Sequence, residues 1–277
     1  MANKKVLMLH GYSQNAIIFS KRMGALRKAC KGIELVFVDA PNILQPADLV
    51  GFNLDSLGAG EANTENAEPD PSTIPRGWWR HNPEKNTYVG VLESISLLRD
   101  ILAKDKYEGV FGFSQGASMA ALIAAILEKP ELHPSFLVEG EAPHPPLSFC
   151  ISASGFKPKD TLFSTFFEPS FNTPTLHVIG LNDVIVPAER SQTLIDVSAN
   201  RRVVAHDGGH FIPSKAPWRN FLRDFLRNPV PLDAVSPPPS SDEANGKATS
   251  LTATPVVSAP VSGRASPDEG NPTPSES

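Results

Sequence analysis

The 277-residue sequence contains only two cysteines, no excess of positive charge and no long hydrophobic run. So few cysteines argue against a disulfide-stapled secreted fold, and we expect Cys30 and Cys150 to be reduced, buried or half-buried thiols of a cytoplasmic protein. The net charge of -5 offers no basic field that would attract nucleic acid or an anionic membrane. We therefore expect no nucleic-acid partner.

The apolar runs are short. None approaches the roughly 20 residues that a membrane-spanning helix requires. The N-terminal run at residues 6–9 is also shorter than the roughly 7–15 apolar residues of a secretory signal, and it is interpreted as a strand. The sequence therefore predicts a cytoplasmic protein without a membrane span.

The C-terminal segment differs in composition from the rest of the chain. From Asn228 onward it contains ten prolines, many small polar residues and no aromatic residue. Such a segment cannot bury enough apolar surface to offset the loss of chain entropy. We therefore predict a domain over residues 1–227 and a disordered Pro/Ser-rich tail over residues 228–277.

Within the predicted domain, apolar runs alternate with segments of helical periodicity. Strands are predicted at residues 5–10, 33–38, 109–113, 147–153, 175–179 and 202–205, and helices at residues 15–30, 88–103, 117–127, 189–199 and 218–226. The strands are apolar without alternation, which is typical of a sheet covered on both faces. The sequence therefore predicts an α/β fold with a mostly parallel sheet and helices on both faces.

A serine between two glycines follows the third of these strands. The residues Gly112-Phe113-Ser114-Gln115-Gly116 fit the pattern G-x-S-x-G, and small apolar residues of a predicted helix come next. In a nucleophile elbow, the glycines leave room for a sharp turn that exposes the serine hydroxyl above the sheet. Ser114 is therefore the candidate nucleophile.

A serine nucleophile needs a base, and the base needs an acid that orients it. In this architecture the chain order is Ser, then Asp or Glu, then His. Asp183 follows the strand at residues 175–179, and His210 follows the next strand after two glycines. Because ligands bind at the carboxyl ends of parallel strands, Asp183 and His210 are the predicted partners of Ser114.

Other residues remain alternatives for these two roles. Asp160 and Asp207 are alternative acids, and His206 is an alternative base. His206 lies nearer its strand, where a structural imidazole is more common, and Asp207 is close to His210 in the chain. His10 is expected to be structural.

The oxyanion of an acyl-transfer intermediate requires two hydrogen-bond donors. One is expected from the backbone N–H of Gln115, directly after the nucleophile. The other is expected from the loop after the first strand, where Gly11 allows close approach of the backbone. The candidates there are the N–H groups of Tyr12 and Ser13, and Tyr12 is preferred.

Four sequence motifs together resemble one family. LHGYSQN at residues 9–15, GFSQGA at 112–117, GLNDVIVP at 180–187 and GGHFIP at 208–213 are similar to the FSH-type serine hydrolases, small α/β-hydrolases that are widespread in fungi. The paired Trp78 and Trp79 also resemble a feature of this family. The likeness covers about residues 4–227.

The resemblance implies an α/β-hydrolase fold and a triad of Ser114, Asp183 and His210. It also implies hydrolysis of carboxylic esters or thioesters through an acyl-enzyme, without a metal or organic cofactor. Some fungal members resemble thioesterases that release acyl chains from biosynthetic carriers. An acyl-carrier protein is therefore a possible partner, beside small-molecule acyl substrates.

Two regions are candidates for controlling specificity. Residues 55–75 hold five acidic and no basic residues and are interpreted either as a lid or as a solvated loop. Trp78 and Trp79 are interpreted either as the wall of a substrate pocket or as core. The aromatic cluster at residues 164–171 is more typical of core packing.

Two further functions stay open. A peptidase or amidase would use the same residues on a poorer leaving group. A hydrolase scaffold used only for binding would usually lack a triad residue, and all three are present here.

Overall fold

A computed structural model describes residues 4–49, 73–82, 87–159, 163, 165–168 and 170–238 of the chain. Residues 55–72 of the predicted lid and the alternative acid Asp160 lie outside the described residues. So do residues 239–277 of the predicted tail and part of the aromatic cluster at residues 164–171.

The described strands form one large sheet and two small ribbons. They are β1 (Lys4–Leu9), β2 (Ile33–Val38), β3 (Asn42–Ile43), β4 (Arg76–Gly77), β5 (Arg80–Asn82), β6 (Thr87–Val89), β7 (Gly109–Phe113), β8 (Phe149–Ala153), β9 (Thr175–Gly180) and β10 (Arg201–His206). The large sheet has the order β10-β9-β8-β7-β1-β2, and every pair in it is parallel. The ribbons β3-β4 and β5-β6 are antiparallel. The parallel sheet confirms the predicted fold class.

Helices cover both faces of the large sheet. They are α1 (Ala16–Arg22), α2 (Gly24–Ala29), α3 (Val91–Lys104), α4 (Gln115–Glu128), α5 (Ala188–Ile195) and α6 (Ala216–Arg227). Alternate side chains of β1 enter opposite cores: Leu7 and Leu9 pack with α3 and α4, whereas Val6 and Met8 pack with α1, α2 and α6. This two-sided burial explains why the strand is apolar without alternation.

The first predicted helix is wrong in one respect, because the structure divides it into α1 and α2. Asn15 caps α1 by accepting a hydrogen bond from the N–H of Ile18 at 2.8 Å. Met23 ends α1 with φ −83° and ψ 6°, and α2 starts directly at Gly24. Met23 and Leu26 are both buried in the same core, so the break leaves the apolar periodicity continuous across the two helices.

Both cysteines are buried and free of disulfides in the structure. Of the described helices, none combines the length and the apolar character needed to cross a bilayer.

The described part of the chain continues to pack against the domain beyond the predicted boundary at Asn228. Leu232 and Val235 are partly buried against the core that contains α6. Arg202 in β10 donates hydrogen bonds from Nη1 to the carbonyl oxygens of both residues. Residues 228–238 therefore carry native contacts, which the proline content had concealed.

These contacts predict different stabilities for two truncated chains. Ending the chain after Pro238 should leave the melting temperature unchanged, whereas ending it after Asn228 should lower it by several degrees. The reason is that the shorter chain exposes apolar core and frees Arg202, and each kcal/mol lost costs about 2–4 °C in a domain of this size. Differential scanning fluorimetry of both proteins checks this. Equal melting temperatures would contradict the contacts of residues 229–238.

Candidate active site

Ser114 lies at the sharp turn between β7 and α4. Its backbone has φ 54° and ψ −121°, a conformation that costs energy for a residue with a side chain. A Cβ on Gly112 would lie 2.2 Å from the carbonyl oxygen of Gly116, and a Cβ on Gly116 would lie 2.3 Å from the carbonyl oxygens of Leu9 and His10. Only glycine therefore fits at these two positions, as expected of a nucleophile elbow.

Substitution of Gly116 tests this close packing. Gly116→Ala should destabilise the protein by about 1–3 kcal/mol or more, because the methyl group would collide with the rigid backbone at the end of β1. Gly24→Ala in α2 is the control, since a Cβ there has no atom within 4 Å. Urea denaturation of the two variants measures the difference. An unchanged stability of Gly116→Ala would contradict the packing described for the elbow.

The structure brings Ser114, His210 and Asp183 together. His210 Nε2 lies 3.0 Å from Ser114 Oγ, and His210 Nδ1 lies 2.7 Å from Asp183 Oδ2. The His210 side chain is 4% exposed and that of Asp183 is 1% exposed, so water competes little for this contact. The imidazole also packs against the ring of Phe113, with the two ring centres 4.9 Å apart. These three side chains, distant in the sequence, form a continuous hydrogen-bonded chain.

Asp183 is held in place by a second set of hydrogen bonds. Its Oδ1 accepts from the N–H groups of Ile185 at 3.0 Å and Val186 at 2.8 Å, while Oδ2 faces His210. Burial acts to raise the pKa of Asp183, but hydrogen bonds from His210, Val186 and Ser154 outweigh it and lower the pKa below its usual value. The carboxylate therefore stays ionised beside the imidazole.

The alternative acid and base occupy other environments. His206 Nδ1 accepts a hydrogen bond from the N–H of Gly208 at 3.1 Å, and its ring packs edge-on against Trp218. Burial lowers the pKa of His206, which keeps it neutral. The backbone carbonyl of Asp207 accepts a hydrogen bond from Asn182, and the residue is exposed. Neither geometry resembles the arrangement around His210.

His10 has the structural role that was expected. Its Nδ1 is 2.8 Å from the carbonyl oxygen of Gly11, and its Nε2 accepts a hydrogen bond from the N–H of Ala40 at 3.0 Å. Burial lowers its pKa to about 4, so the ring is neutral with the proton on Nδ1. The ring thus ties the loop after β1 to the residues after β2.

The loop after β1 favours one of the two candidate donors for the oxyanion. The N–H of Ser13 donates to the carbonyl oxygen of Arg76 at 2.9 Å, so it is already used. Tyr12 stays the predicted donor from this loop. Gln115 is the first residue of α4, and the N–H of such a residue has no acceptor within its helix.

The side chain of Gln115 has a role that the sequence motifs did not indicate. Its Oε1 accepts from the N–H of Trp78 at 2.7 Å, and its Nε2 donates to the carbonyl oxygen of Trp79 at 2.9 Å. The indole Nε1 of Trp78 donates to the carbonyl oxygen of His10 at 2.8 Å. The residue after the nucleophile therefore fixes the segment that carries both tryptophans. A polar residue at this position was the only signal in the sequence.

Both tryptophans are buried in the core, which was one of the two interpretations of the sequence. Trp78 is fully buried and Trp79 is 3% exposed. The ring of Trp79 packs against Tyr88, Phe156 and Phe163. Their large apolar surface is used to anchor the segment over α4.

A cavity of about 220 Å³ lies between α1 and the loop after His210. It is lined by Gln14, Phe19, Arg22, Met23, Phe113, Phe211, Ile212 and Ser214. Phe113 directly precedes Ser114, and Phe211 directly follows His210. Because the ring of Phe113 also packs on His210, the Phe113 side chain lies between the cavity and the imidazole.

Two relatives align with most of this chain. Esterase OVCA2 of Xenopus tropicalis is 32% identical over 235 residues, which cover 80% of this chain and 91% of that protein. A protein of Schizosaccharomyces pombe named Dihydrofolate reductase is 33% identical over 224 residues, which cover 80% of this chain but 46% of that protein. The chain thus spans about half the length of this second relative.

Solved structures agree on the fold. Acyl-protein thioesterase 2 of Zea mays superposes with a TM-score of 0.52 at 17% identity, over 82% of this chain and 94% of that one. At this identity the likeness shows the α/β-hydrolase fold alone.

Residues 1–222 of the chain match the family described as Serine hydrolase (FSH1), which confirms the resemblance found in the four motifs. The chain therefore belongs to the FSH1 serine hydrolase family.

Proposed function

We propose that the chain hydrolyses carboxylic esters or thioesters, with Ser114 as nucleophile, His210 as general base and Asp183 as the acid that orients the imidazole. The observation that carries this proposal is the hydrogen-bonded chain from Ser114 Oγ through His210 to Asp183 Oδ2. The strained backbone of Ser114 and the low pKa of Asp183 support the same roles.

The reaction has two stages. In the first, His210 Nε2 takes the hydroxyl proton as Ser114 Oγ attacks the acyl carbon, and Asp183 stabilises the imidazolium. His210 then gives this proton to the leaving oxygen or sulfur, and the bond to the acyl carbon breaks. In the second stage, His210 activates a water that hydrolyses the acyl-enzyme and returns the proton to Ser114.

The oxyanion of each tetrahedral intermediate would be stabilised by the N–H groups of Tyr12 and Gln115. Each donor of this kind contributes about 10²–10³ in rate. The hydrogen bonds of the Gln115 side chain to the tryptophan segment support this role, because they hold the residue rigidly at the start of α4. A donor that is already oriented needs no reorganisation during the reaction.

Esters and thioesters are preferred over amides as substrates. The relative from Xenopus tropicalis is named an esterase, and the structural neighbour from Zea mays is named an acyl-protein thioesterase. Thioesters on an acyl-carrier protein belong to the same proposal. Two buried free cysteines fit a reducing compartment, so we also propose a cytoplasmic location.

The proposal predicts a strong preference for esters over amides of the same acyl group. Butyryl esters and thioesters should be hydrolysed several orders of magnitude faster than a butyryl anilide, because an amine leaves far less readily than an alcohol or a thiol. Steady-state kinetics on the three substrates measures this ratio. Comparable rates on the anilide would favour the peptidase or amidase alternative.

A further inference from the structure

No step of the proposed mechanism uses the cavity between α1 and the loop after His210. Its walls come from α1, the loop after β1 and the loop after His210. A smaller cleft between α1, α2 and α6 shares the side chains of Arg22, Met23, Ile212 and Ser214 with this cavity and is also lined by Arg219. Arg22 lines both spaces, Arg219 lines the cleft, and Phe113, which precedes Ser114 in the chain, lines the cavity.

The position of His210 indicates which part of a substrate enters this space. During acylation, the imidazole must give its proton to the leaving atom, so the leaving group lies on the imidazole side of the acyl carbon. The His210 ring packs on Phe113, and Phe113 lines the cavity, so the cavity lies on this side of the site. The cavity is therefore placed to receive the leaving group. This step rests on the proposed function.

Arg22 and Arg219 differ from most arginines of the domain in their partners. Within the part of the chain that the structure describes, neither guanidinium forms an ion pair or a hydrogen bond with another residue. By contrast, Arg76, Arg80 and Arg223 each face an aspartate. Arg22 is exposed and Arg219 is half-buried, so a ligand can reach both guanidinium groups from solvent. An anionic ligand would supply the opposite charge that the described residues do not provide.

The helices around the cavity are basic although the whole chain is acidic. Helices α1, α2 and α6 together carry seven lysines and arginines and one acidic residue, Asp224. Asp224 is already paired with Arg223 and Arg227 near the end of α6. These helices therefore bring an excess of positive charge to this side of the domain, which favours anions near the cavity.

We propose that Arg22 and Arg219 form an anion subsite that binds a carboxylate or phosphate on the leaving group of the substrate. Both groups suit the planar guanidinium, which binds them through paired hydrogen bonds. The substrates would then be acyl esters or thioesters whose alcohol or thiol portion is negatively charged. Apolar walls at Phe113, Met23 and Ile212 would contact the neutral part of that portion.

A matched pair of esters tests the carboxylate form of this proposal. The substrates are 3-carboxyphenyl butyrate and 3-carbamoylphenyl butyrate, which have similar shape and differ in charge. The wild-type protein should prefer the charged ester in kcat/KM. Arg22→Gln and Arg219→Gln should each lower this preference about tenfold, since one charge-assisted contact is lost.

Arg27→Gln is the control for general charge effects. Arg27 lies on α2, donates a hydrogen bond to Ser20 Oγ and does not line the cavity. This variant should keep the wild-type preference. The proposal is overturned if the preference survives in both Arg22→Gln and Arg219→Gln, or if Arg27→Gln lowers it as much as they do.

Binding without turnover separates this proposal from the proposed function and tests the phosphate form. Calorimetry on the Ser114→Ala protein should show that coenzyme A binds at least about tenfold more tightly than pantetheine, which is the same thiol without the nucleotide phosphates. Adding Arg22→Gln should remove this difference in affinity. Binding of 3-hydroxybenzoate, the leaving group of the charged ester, tests the carboxylate in the same way. If neither anion binds, the subsite proposal is wrong even if the protein hydrolyses neutral esters. If the anions bind but no ester is hydrolysed, only the proposed function is wrong.

Discussion

Ser114→Ala is expected to abolish ester hydrolysis, with a loss in kcat of about 10⁵–10⁶. The variant loses the only oxygen within hydrogen-bonding distance of His210 Nε2 that the described residues provide. His210 and Asp183 then have no nucleophile to activate, and only the oxyanion donors and binding interactions remain. Initial rates on p-nitrophenyl butyrate at high enzyme concentration measure the loss.

Ser152→Ala is the matched control for this substitution. Ser152 is buried in β8, next to β7, and its hydroxyl has no hydrogen-bond partner among the described residues. This variant should keep its activity, because it removes a buried hydroxyl that contacts neither His210 nor Asp183. Wild-type rates in Ser114→Ala would show that another residue of the chain is the nucleophile.

Asp183→Asn is expected to lower kcat by about 10⁴ with little change in KM. The amide oxygen of asparagine can still accept the hydrogen bonds from Ile185 and Val186. Its amino group would then face His210 Nδ1 as a donor, so the imidazole would carry its proton on Nε2 and could not accept the proton of Ser114. The fold should survive the change while the base is held in the wrong tautomer.

Asp160→Asn is the comparison that separates the two acids considered from the sequence. Steady-state kinetics and melting curves of both variants should show a large loss of activity in Asp183→Asn only. A larger loss in Asp160→Asn would assign the orienting role to Asp160 and would contradict the contact between His210 and Asp183.

The elements around the site could be predicted because each depends on local chemistry. The apolar strands buried on both faces predicted the parallel sheet, and the two glycines around Ser114 predicted the elbow. The order of Ser114, Asp183 and His210 then followed from where each strand ends, because parallel strands bring their carboxyl ends to one edge.

Other features depend on contacts between distant segments, and the sequence pattern did not carry them. The side chain of Gln115 binds the Trp78–Trp79 segment, 36 residues away, so its role is visible only in three dimensions. The break at Met23 leaves the apolar periodicity intact, so the sequence pattern predicted one helix in place of α1 and α2. The packing of Leu232 and Val235 was hidden by the prolines around them.

The proposed anion subsite illustrates the same limit. Arg22 comes from α1 and Arg219 from α6, and neither belongs to a catalytic motif. Their relevance arises from the absence of acidic partners in the described structure and from a shared cavity that is lined by Phe113, which packs on His210.

The most direct test of the central claim is to identify the residue that a fluorophosphonate probe modifies. The probe reacts with a serine that an adjacent base has activated, so peptide mass spectrometry of the labelled protein should locate the adduct on Ser114. Labelling should disappear in His210→Ala, which retains the hydroxyl but lacks the base. An adduct on another residue, or undiminished labelling of Ser114 in His210→Ala, would contradict the account.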